Sequence, residues 1–127
     1  MFLKPILALS VLALASCATI APPASSGTVD HFVLLWQKRP GNLEDRKALA
    51  GAADSLRVIP GIRILDFGPA LQSDRPVVDD SFDIGMLVRF DSAASLHAYE
   101  TDPRHVEKVT KILKPLTKKI VVYDVIH

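Results

Sequence analysis

The chain has 127 residues and a formal net charge of +1 at pH 7, with 49% apolar and 23% charged side chains. This length fits one domain, and the near-neutral charge lacks the basic excess that nucleic-acid-binding proteins carry. A single cysteine cannot form an internal disulfide, and no Cys/His cluster has the spacing of a zinc site. The sequence also contains no Gly-rich phosphate loop and no nucleophile elbow. We therefore expect no nucleic-acid partner, no metal and no cofactor.

Residues 1–17 (MFLKPILALSVLALASC) are a largely apolar stretch whose one charged residue is Lys4. A short basic start followed by a brief apolar core is typical of an export signal, and this core is too short for a comfortable membrane span. The run Leu14-Ala15-Ser16-Cys17 resembles the lipobox of bacterial lipoproteins, in which the signal is cut before the cysteine and the thiol carries diacylglycerol. An ordinary signal peptide with a chance cysteine is the alternative.

We expect residues 1–16 to be a lipoprotein signal peptide and Cys17 to be the lipidated residue. Residues 18–28 (ATIAPPASSGT) are small, polar and rich in proline, so residues 17–28 are predicted to form a flexible lipidated tether. Ala18, rather than aspartate, follows the cysteine, and by resemblance to bacterial lipoproteins this favours the outer membrane. The predicted location is the bacterial cell envelope, with a domain of residues 29–127 facing the periplasm.

The first half of this domain predicts a strand followed by a helix. His31–Trp36 (HFVLLW) is rich in β-forming residues and is followed by Pro40-Gly41. Asn42 can cap the helix, which has acidic residues in its first turn and ends before Pro60-Gly61. The buried face of the helix is predicted from apolar residues at helical spacing: Leu49, Ala52, Ala53 and Leu56.

Two further strands follow, separated by a polar loop. Ile62–Gly68 (IRILDFG) predicts the second strand, and the loop extends from Pro69 to Asp80. The third strand is predicted from a strict alternation of apolar residues: Phe82, Ile84, Met86, Val88 and Phe90.

The last third of the chain predicts two helical segments and a strand. Ser92 caps a helix that runs to about Glu100, and Asp102-Pro103 then starts a second segment as cap and first helical residue. This second segment is interrupted near Pro115, and Ile120–Ile126 (IVVYDVI) is the last strand. The buried face of the second segment is predicted to contain Val106, Val109, Leu113 and Leu116.

The predicted elements have the order β-α-β-β-α-β, which is the ferredoxin-like arrangement of an α+β domain. Right-handed crossovers place both helices on one face of an antiparallel sheet of four strands. The first and last strands are apolar on both sides, although a sheet face in contact with water should be polar. Because such a bare face exceeds the apolar patch that a monomer tolerates, we expect a second copy of the chain to cover it in a two-fold homodimer.

Several short segments, in a fixed order, also point to a family. They are Val29–Trp36, Ile59–Ile62, Asp66–Gly68, Phe82–Ser92 and Tyr99–His105. Together they resemble the stress-responsive A/B barrel (Dabb) domain family of dimeric α+β barrels. The resemblance implies a homodimer with a barrel-like interior and a cavity between sheet and helices.

One relative in that family, the plant olivetolic acid cyclase, closes a polyketide chain by aldol condensation without a cofactor. Its Tyr-x-x-His-Pro-x-His segment supplies a general base and an assisting tyrosine, which the resemblance places at His105 and Tyr99. A further pocket histidine of the cyclase corresponds to His31. This chain has Asp102 in place of the first histidine of that segment, and members with no known activity share most of the motif. The resemblance alone therefore does not transfer catalysis.

Each candidate site residue also has a purely structural interpretation. His105 would be a general base kept neutral by the positive helix end, or a side chain that closes the helix cap. Tyr99 would direct its hydroxyl into a pocket or pack in the core, and His31 would project into the cavity or lie at its rim. Trp36 and Phe67 are the other candidates for the ligand pocket, with core or dimer contacts as their alternative.

Three functions remain open from the sequence, which does not decide whether the protein is an enzyme. The first is a lipid-anchored homodimer that binds a small apolar ligand in its cavity. The second is a cofactor-free cyclase or lyase that uses His105 and Tyr99, and the third is a monooxygenase-like activity of the kind found in sister barrel families. A basic surface, either solvated or facing anionic lipid head groups, is predicted from Lys108, Lys111, Lys114, Lys118 and Lys119.

Overall fold

The computed structural model describes residues 27–127, so the predicted signal peptide, the lipidation site at Cys17 and most of the tether lie outside the described residues. The strands are β1 (Val29–Gln37), β2 (Ile62–Gly68), β3 (Ile84–Phe90) and β4 (Thr117–Ile126). The helices are α1 (Leu43–Ser55), α2 (Ala93–Thr101), α3 (Pro103–Lys108) and α4 (Lys114–Leu116), with a 3₁₀ turn at Leu56–Val58 and a π-helical turn at Val109–Leu113.

The strands form a single four-stranded antiparallel sheet in the order β2-β3-β1-β4, which confirms the predicted ferredoxin-like fold. β1 lies inside the sheet, between β3 and β4, so its residues have neighbours on both sides. His31, for example, is paired with Val88 of β3 and with Asp124 of β4. β4 is an edge strand and pairs with β1, so the first and last strands of the domain are direct neighbours. No helix among the described residues is long and apolar enough to cross a bilayer.

Helices α1, α2 and α3 begin where the sequence predicts, because each of these three starts has a side-chain cap. The carboxamide oxygen of Asn42 accepts a hydrogen bond from the Asp45 amide at 2.9 Å. The Ser92 hydroxyl accepts one from the Ser95 amide at 3.2 Å, and Asp102 caps α3 with proline in the first turn. These contacts satisfy amide groups that would otherwise have no partner at a helix start.

The predicted turn at Pro60-Gly61 is also present, and its glycine has two roles. Gly61 has a φ of +90°, a conformation that side chains with a Cβ rarely adopt. A Cβ atom at this position would lie 2.8 Å from the Cβ of Ser95 in α2. The glycine therefore permits both the tight entry into β2 and the close approach of α2.

The last helical segment is irregular rather than broken at Pro115. Proline has no amide hydrogen for the carbonyl four residues earlier, and the turn before it is π-helical, with the Lys114 amide donating to the Val109 carbonyl. Because a π turn contains more residues than an α turn, it rotates Val106 away from the face that Leu113 buries. Val106 is 44% exposed, so its predicted burial is wrong.

β3 begins later than the alternation predicts, and Phe82 lies before the strand rather than within it. The Phe82 ring packs edge-on against Trp36, with 6.3 Å between ring centroids. The intervening Asp83 accepts a hydrogen bond from the Gln37 amide at 2.7 Å. These two contacts hold the entry to β3 against the end of β1.

One face of the sheet, the helix face, packs against the helices and forms the core. The apolar residues of β3 that point to this side are at most 6% exposed, and Val88 and Phe90 are fully buried. Each large side chain buried in this way contributes roughly 1.5–3 kcal/mol to the free energy of unfolding. The helices and turns contribute Leu49, Ala52, Ala53, Leu56, Leu96, Tyr99 and Leu113 to the same core.

The opposite side of the sheet, which we call the open face, is also apolar but is not covered by the rest of residues 27–127. Phe32 is 36% exposed and Tyr123 is 58% exposed, although both lie on neighbouring strands of the sheet. Near one end, Arg89 forms a bidentate ion pair with buried Asp30, at 2.6 and 2.7 Å. The apolar side chains of the open face are Phe32, Leu34, Ile64, Leu87, Val121, Tyr123 and Val125.

Candidate functional site

A cavity of about 400 Å³ lies between the helix face of the sheet and the helical segment that follows α2. The π-helical turn contributes two of its apolar side chains to the wall. The apolar lining consists of Val33, Leu56, Met86, Val109, Leu113, Ile120 and Val122, and the polar lining of His31, Tyr99, Glu100, His105, Lys108 and Lys114. The structure therefore brings together three of the candidate residues, His31, Tyr99 and His105, in one cavity.

His31 enters this cavity from β1 and is oriented by a carboxylate on β4. Its ring nitrogen Nδ1 lies 2.6 Å from Oδ1 of Asp124, which is its cross-strand neighbour. A carboxylate oxygen only accepts hydrogen bonds, so Nδ1 of His31 is the donor. His31 is buried, whereas the Asp124 side chain is half-exposed. The pair fixes the orientation of the imidazole in the cavity wall, as acidic partners of histidine do in enzyme sites.

Tyr99 lies between the two histidines and is fully buried at the end of α2. Its ring centroid is 6.0 Å from that of His31 and 4.2 Å from that of His105. Among the described residues its hydroxyl has no hydrogen-bond partner, and burial raises the pKa of this hydroxyl well above its ordinary value. Tyr99 is therefore a neutral hydrogen-bond donor at physiological pH.

His105 faces the same cavity from the first turn of α3. Its Nδ1 lies 3.2 Å from the carbonyl oxygen of Glu100; since a carbonyl only accepts, Nδ1 donates and Nε2 of the neutral ring is an acceptor. Burial lowers the pKa of His105 below its ordinary value, which favours the neutral form. The helix cap does not involve this ring, because the Asp102 carboxylate is bound by Arg104 at 2.9 and 2.7 Å.

Trp36 and Phe67 do not line this cavity. The Trp36 indole donates a hydrogen bond to the Ser81 hydroxyl at 3.0 Å, and the Lys119 ammonium lies 4.3 Å from its ring centroid. Phe67 is half-buried against the core on β2 and also borders a shallow groove on the open face. Both aromatic rings therefore lie away from the histidines.

Asp124 is the site residue that the sequence alone did not identify. It is the one charged residue in the apolar run IVVYDVI, at a position where the alternation with Ile120 and Val122 predicts an apolar side chain. This departure from the apolar pattern can be seen in the sequence, but the role of Asp124 depends on which residue of the neighbouring strand lies beside it. Only the pairing of β1 with β4 places Asp124 opposite His31.

The arrangement can bind a polar group of a largely apolar molecule, and it can move a proton. The Nε2 atom of neutral His105 can accept a hydrogen bond or a proton, and the Tyr99 phenol can donate a hydrogen bond. Neutral histidine near physiological pH is suited to general acid–base chemistry. Within residues 27–127, no group of three or more His, Cys, Asp or Glu side chains is placed to hold a metal ion.

Comparison with known proteins agrees with this architecture. Residues 29–127 match the stress-responsive A/B barrel domain, and the match covers the sheet, the helices and every polar residue of the cavity wall. The chain belongs to the stress-responsive A/B barrel domain family. This confirms the family that the sequence segments resemble. No curated protein matches the chain.

Solved structures with the same fold include other stress-responsive A/B barrel domains. A Dabb-family protein from Mesorhizobium loti with a ferredoxin-like fold is 24% identical, and the match covers 80% of this chain and 97% of that one, with a TM-score of 0.66. A dimeric ferredoxin-like protein of unknown function from Thermobifida fusca is 17% identical, over 82% of this chain and 94% of that one, with a TM-score of 0.66. The hydroxynitrile lyase from Passiflora edulis is 21% identical, over 84% of this chain and 95% of that one, with a TM-score of 0.69. At these identities the likeness establishes the fold.

Proposed function

We propose that this chain is a ligand-binding stress-responsive A/B barrel domain, attached to the cell envelope by lipid at Cys17 and paired with a second copy of itself. The cavity is the observation that carries the binding function. Apolar pockets with a few placed polar groups are typical small-molecule sites. If each non-hydrogen atom takes roughly the 30 Å³ of a water molecule in the liquid, the 400 Å³ cavity holds a molecule of about a dozen such atoms.

A cavity-filling substitution tests this binding function. Val122 lines the cavity, whereas Val125 lies on the same strand, is equally exposed at 44%, and points to the open face. Small molecules that co-purify with the protein would be extracted and identified by mass spectrometry. We expect Val122→Trp to lose them and Val125→Trp to retain them. Equal retention by both variants, or no bound molecule in the parent protein, would contradict a ligand-binding cavity.

A second candidate function, a cofactor-free lyase or cyclase, is favoured by the arrangement around Tyr99. His31 and His105 line the same cavity as the Tyr99 phenol, and burial favours neutral His105. One solved structure with the same fold is a hydroxynitrile lyase, so a cyanohydrin is one substrate to test. In that reaction the base takes the hydroxyl proton, the bond to the nitrile carbon breaks, and a carbonyl compound and cyanide form, with the proton passing to cyanide.

Cyanide release from mandelonitrile measures this activity, and hydrogen exchange next to the carbonyl of a β-keto ester measures cyclase-type proton removal. We expect His105→Ala to abolish either activity and Tyr99→Phe to lower its kcat. Lys111→Met is a suitable control, because Lys111 does not line the cavity and pairs with Glu107 at 3.0 Å. Turnover that survives in His105→Ala, or rates no greater than in buffer, would rule out this candidate.

The proposed homodimer is supported by the open face and by the dimeric relatives of the same fold. Its apolar side chains are half-buried or exposed in the isolated protomer, and apolar patches of this kind are typical of interfaces between identical subunits. Sedimentation equilibrium provides the test. We expect Leu34→Glu, at the centre of the open face, to yield monomers, whereas Val58→Glu, at a 68% exposed site beyond α1, remains dimeric. A parent protein that is monomeric at micromolar concentration would refute the dimer.

The proposed lipid anchor depends on the lipobox-like run that ends at Cys17. A diacylglyceryl cysteine with an acylated amino end gives stable membrane attachment, because each buried methylene contributes about 0.8 kcal/mol. We expect Cys17→Ser to leave the membrane fraction, while Thr19→Ser, two residues along, stays. Ala18→Asp should remain lipidated but move to the inner membrane. A Cys17→Ser protein that still fractionates with membranes would show that the anchor is elsewhere.

A further inference from the structure

Two lysines lie in the wall of the cavity, and they support a more specific inference about its ligand. Lys108, at the end of α3, is half-buried, and Lys114, at the start of α4, is exposed. The side chains between them that face the cavity, Val109 and Leu113, are apolar. The two positively charged side chains therefore border the apolar part of the cavity, on the side formed by the last helical segment.

These two lysines differ from the lysine between them. Lys111 pairs with Glu107 at 3.0 Å and does not line the cavity. Among residues 27–127, neither Lys108 nor Lys114 forms an ion pair. Their positive charges are therefore available to a ligand, in contrast to the charge of Lys111.

The carboxylates near the cavity already have partners. Glu100 accepts a hydrogen bond from the His97 ring at 3.1 Å, and Asp124 accepts one from His31 at 2.6 Å. Among the residues that line the cavity, the two ammonium groups therefore outnumber the single carboxylate, Glu100, because Asp124 does not line it. This favours an anionic ligand over a cationic one, since opposite charges at contact distance attract strongly where water is partly excluded.

We propose that the cavity takes an aliphatic carboxylate of medium chain length, with its chain in the apolar interior and its head group at Lys108 and Lys114. This proposal rests on the proposed ligand-binding function and names the chemical class of the ligand. The cavity volume limits the ligand to about a dozen non-hydrogen atoms, by the same packing of roughly 30 Å³ per atom. Octanoate fits this limit, and octan-1-ol is its neutral counterpart with the same alkyl chain.

The test compares octanoate with octan-1-ol by isothermal titration calorimetry at pH 7.5. The full chain carries Cys17→Ser, so that no attached acyl chain competes for the cavity, and it is purified without detergent. We expect octanoate to bind about tenfold more tightly than octan-1-ol, and the preference to decrease with added salt, since salt screens exposed charges.

Three variants assign the preference to the lysines. The double variant Lys108→Met/Lys114→Met keeps the apolar stems but removes both charges, so octanoate should lose its advantage while octan-1-ol binds as before. Lys108→Arg/Lys114→Arg should preserve the preference, and Lys111→Met should leave it unchanged. Loss of the preference in Lys111→Met to the same degree would show a general effect of net charge and would overturn the proposal.

The two levels of the proposal fail in different ways. Equal binding of octanoate and octan-1-ol in the parent protein would overturn the carboxylate preference but leave a functional apolar cavity. Absence of binding by both molecules would overturn the ligand-binding function together with the carboxylate preference.

Discussion

The two faces of the sheet are built from the same kinds of side chain but have different surroundings. On the helix face, Phe90 is fully buried beneath α2, whereas on the open face Phe32 is 36% exposed. The helix face also contains the cavity and its polar residues, while the open face contains the Asp30–Arg89 ion pair. Hydrophobicity alone therefore does not separate a buried core from an uncovered sheet face. The number of elements available to cover each face does.

The largest expected effect is on the helix face. Phe90→Ala removes a ring whose centroid lies 4.9 Å from that of Tyr99, and it leaves a cavity that the packed core cannot close. We expect a loss of about 3–5 kcal/mol in the free energy of unfolding, measured by urea denaturation. A loss below about 1 kcal/mol would mean that this face is as loosely packed as the open one.

The matched change on the open face should act through association. Phe32→Ala should cost the isolated protomer less than Phe90→Ala, because the Phe32 ring is already partly exposed. In the proposed dimer it should weaken association by about 1–2 kcal/mol, measured by sedimentation at a series of concentrations. Val58→Ala is the control at a 68% exposed site. An unchanged dissociation constant for Phe32→Ala would place the interface elsewhere.

The ion pair on the open face predicts a dependence of stability on pH. Hydrogen bonds from Arg89, with a smaller contribution from His127, lower the pKa of Asp30 from 3.8 to about 2. A carboxyl whose pKa is lower in the folded state stabilises that state above its unfolded pKa, and this contribution is lost as the pH falls toward the folded value. Asp30→Asn should therefore be less stable than the parent above pH 4, with the difference shrinking toward pH 2. Thermal melts at pH 4 and above and at pH 2 measure the difference in stability between the variant and the parent. A difference that does not change with pH would contradict an origin in the Asp30 carboxylate.

The smallest expected effect is a gain in the free energy of unfolding, and it concerns a residue on the helix face. Tyr99→Phe removes a buried hydroxyl that has no partner among the described residues. Since an unsatisfied buried polar group costs free energy, we expect unchanged stability or a gain of up to about 1 kcal/mol in urea denaturation. Ligand binding should weaken in the same variant. Destabilisation without loss of binding would indicate that the hydroxyl serves the fold instead.

Most of the fold could be predicted from local signals. The caps at Asn42, Ser92 and Asp102 and the turn at Pro60-Gly61 depend on neighbouring residues, and the alternation in β3 gives its buried side directly. The burial of Val106 could not be predicted, because helical spacing assumes a regular helix and the π turn before Pro115 changes the phase.

The candidate site was predictable only in part. His31, Tyr99 and His105 have side chains suited to a pocket, and the resemblance to a family drew attention to them. Asp124 requires the pairing of β1 with β4, which is a long-range property of the sheet. The burial of Trp36 away from the cavity depends on contacts with Ser81, Phe82 and Lys119 that no local pattern contains.

The pairing of the first and last strands has a consequence for how the protein is made. His31 and Asp124 are 93 positions apart in the sequence, so the oriented histidine exists only once the final strand has been synthesised and has joined the sheet. A chain that stalls or is cleaved before β4 lacks the partner of His31 and one wall of the cavity. A complete cavity wall therefore requires that synthesis has run to the end of the domain.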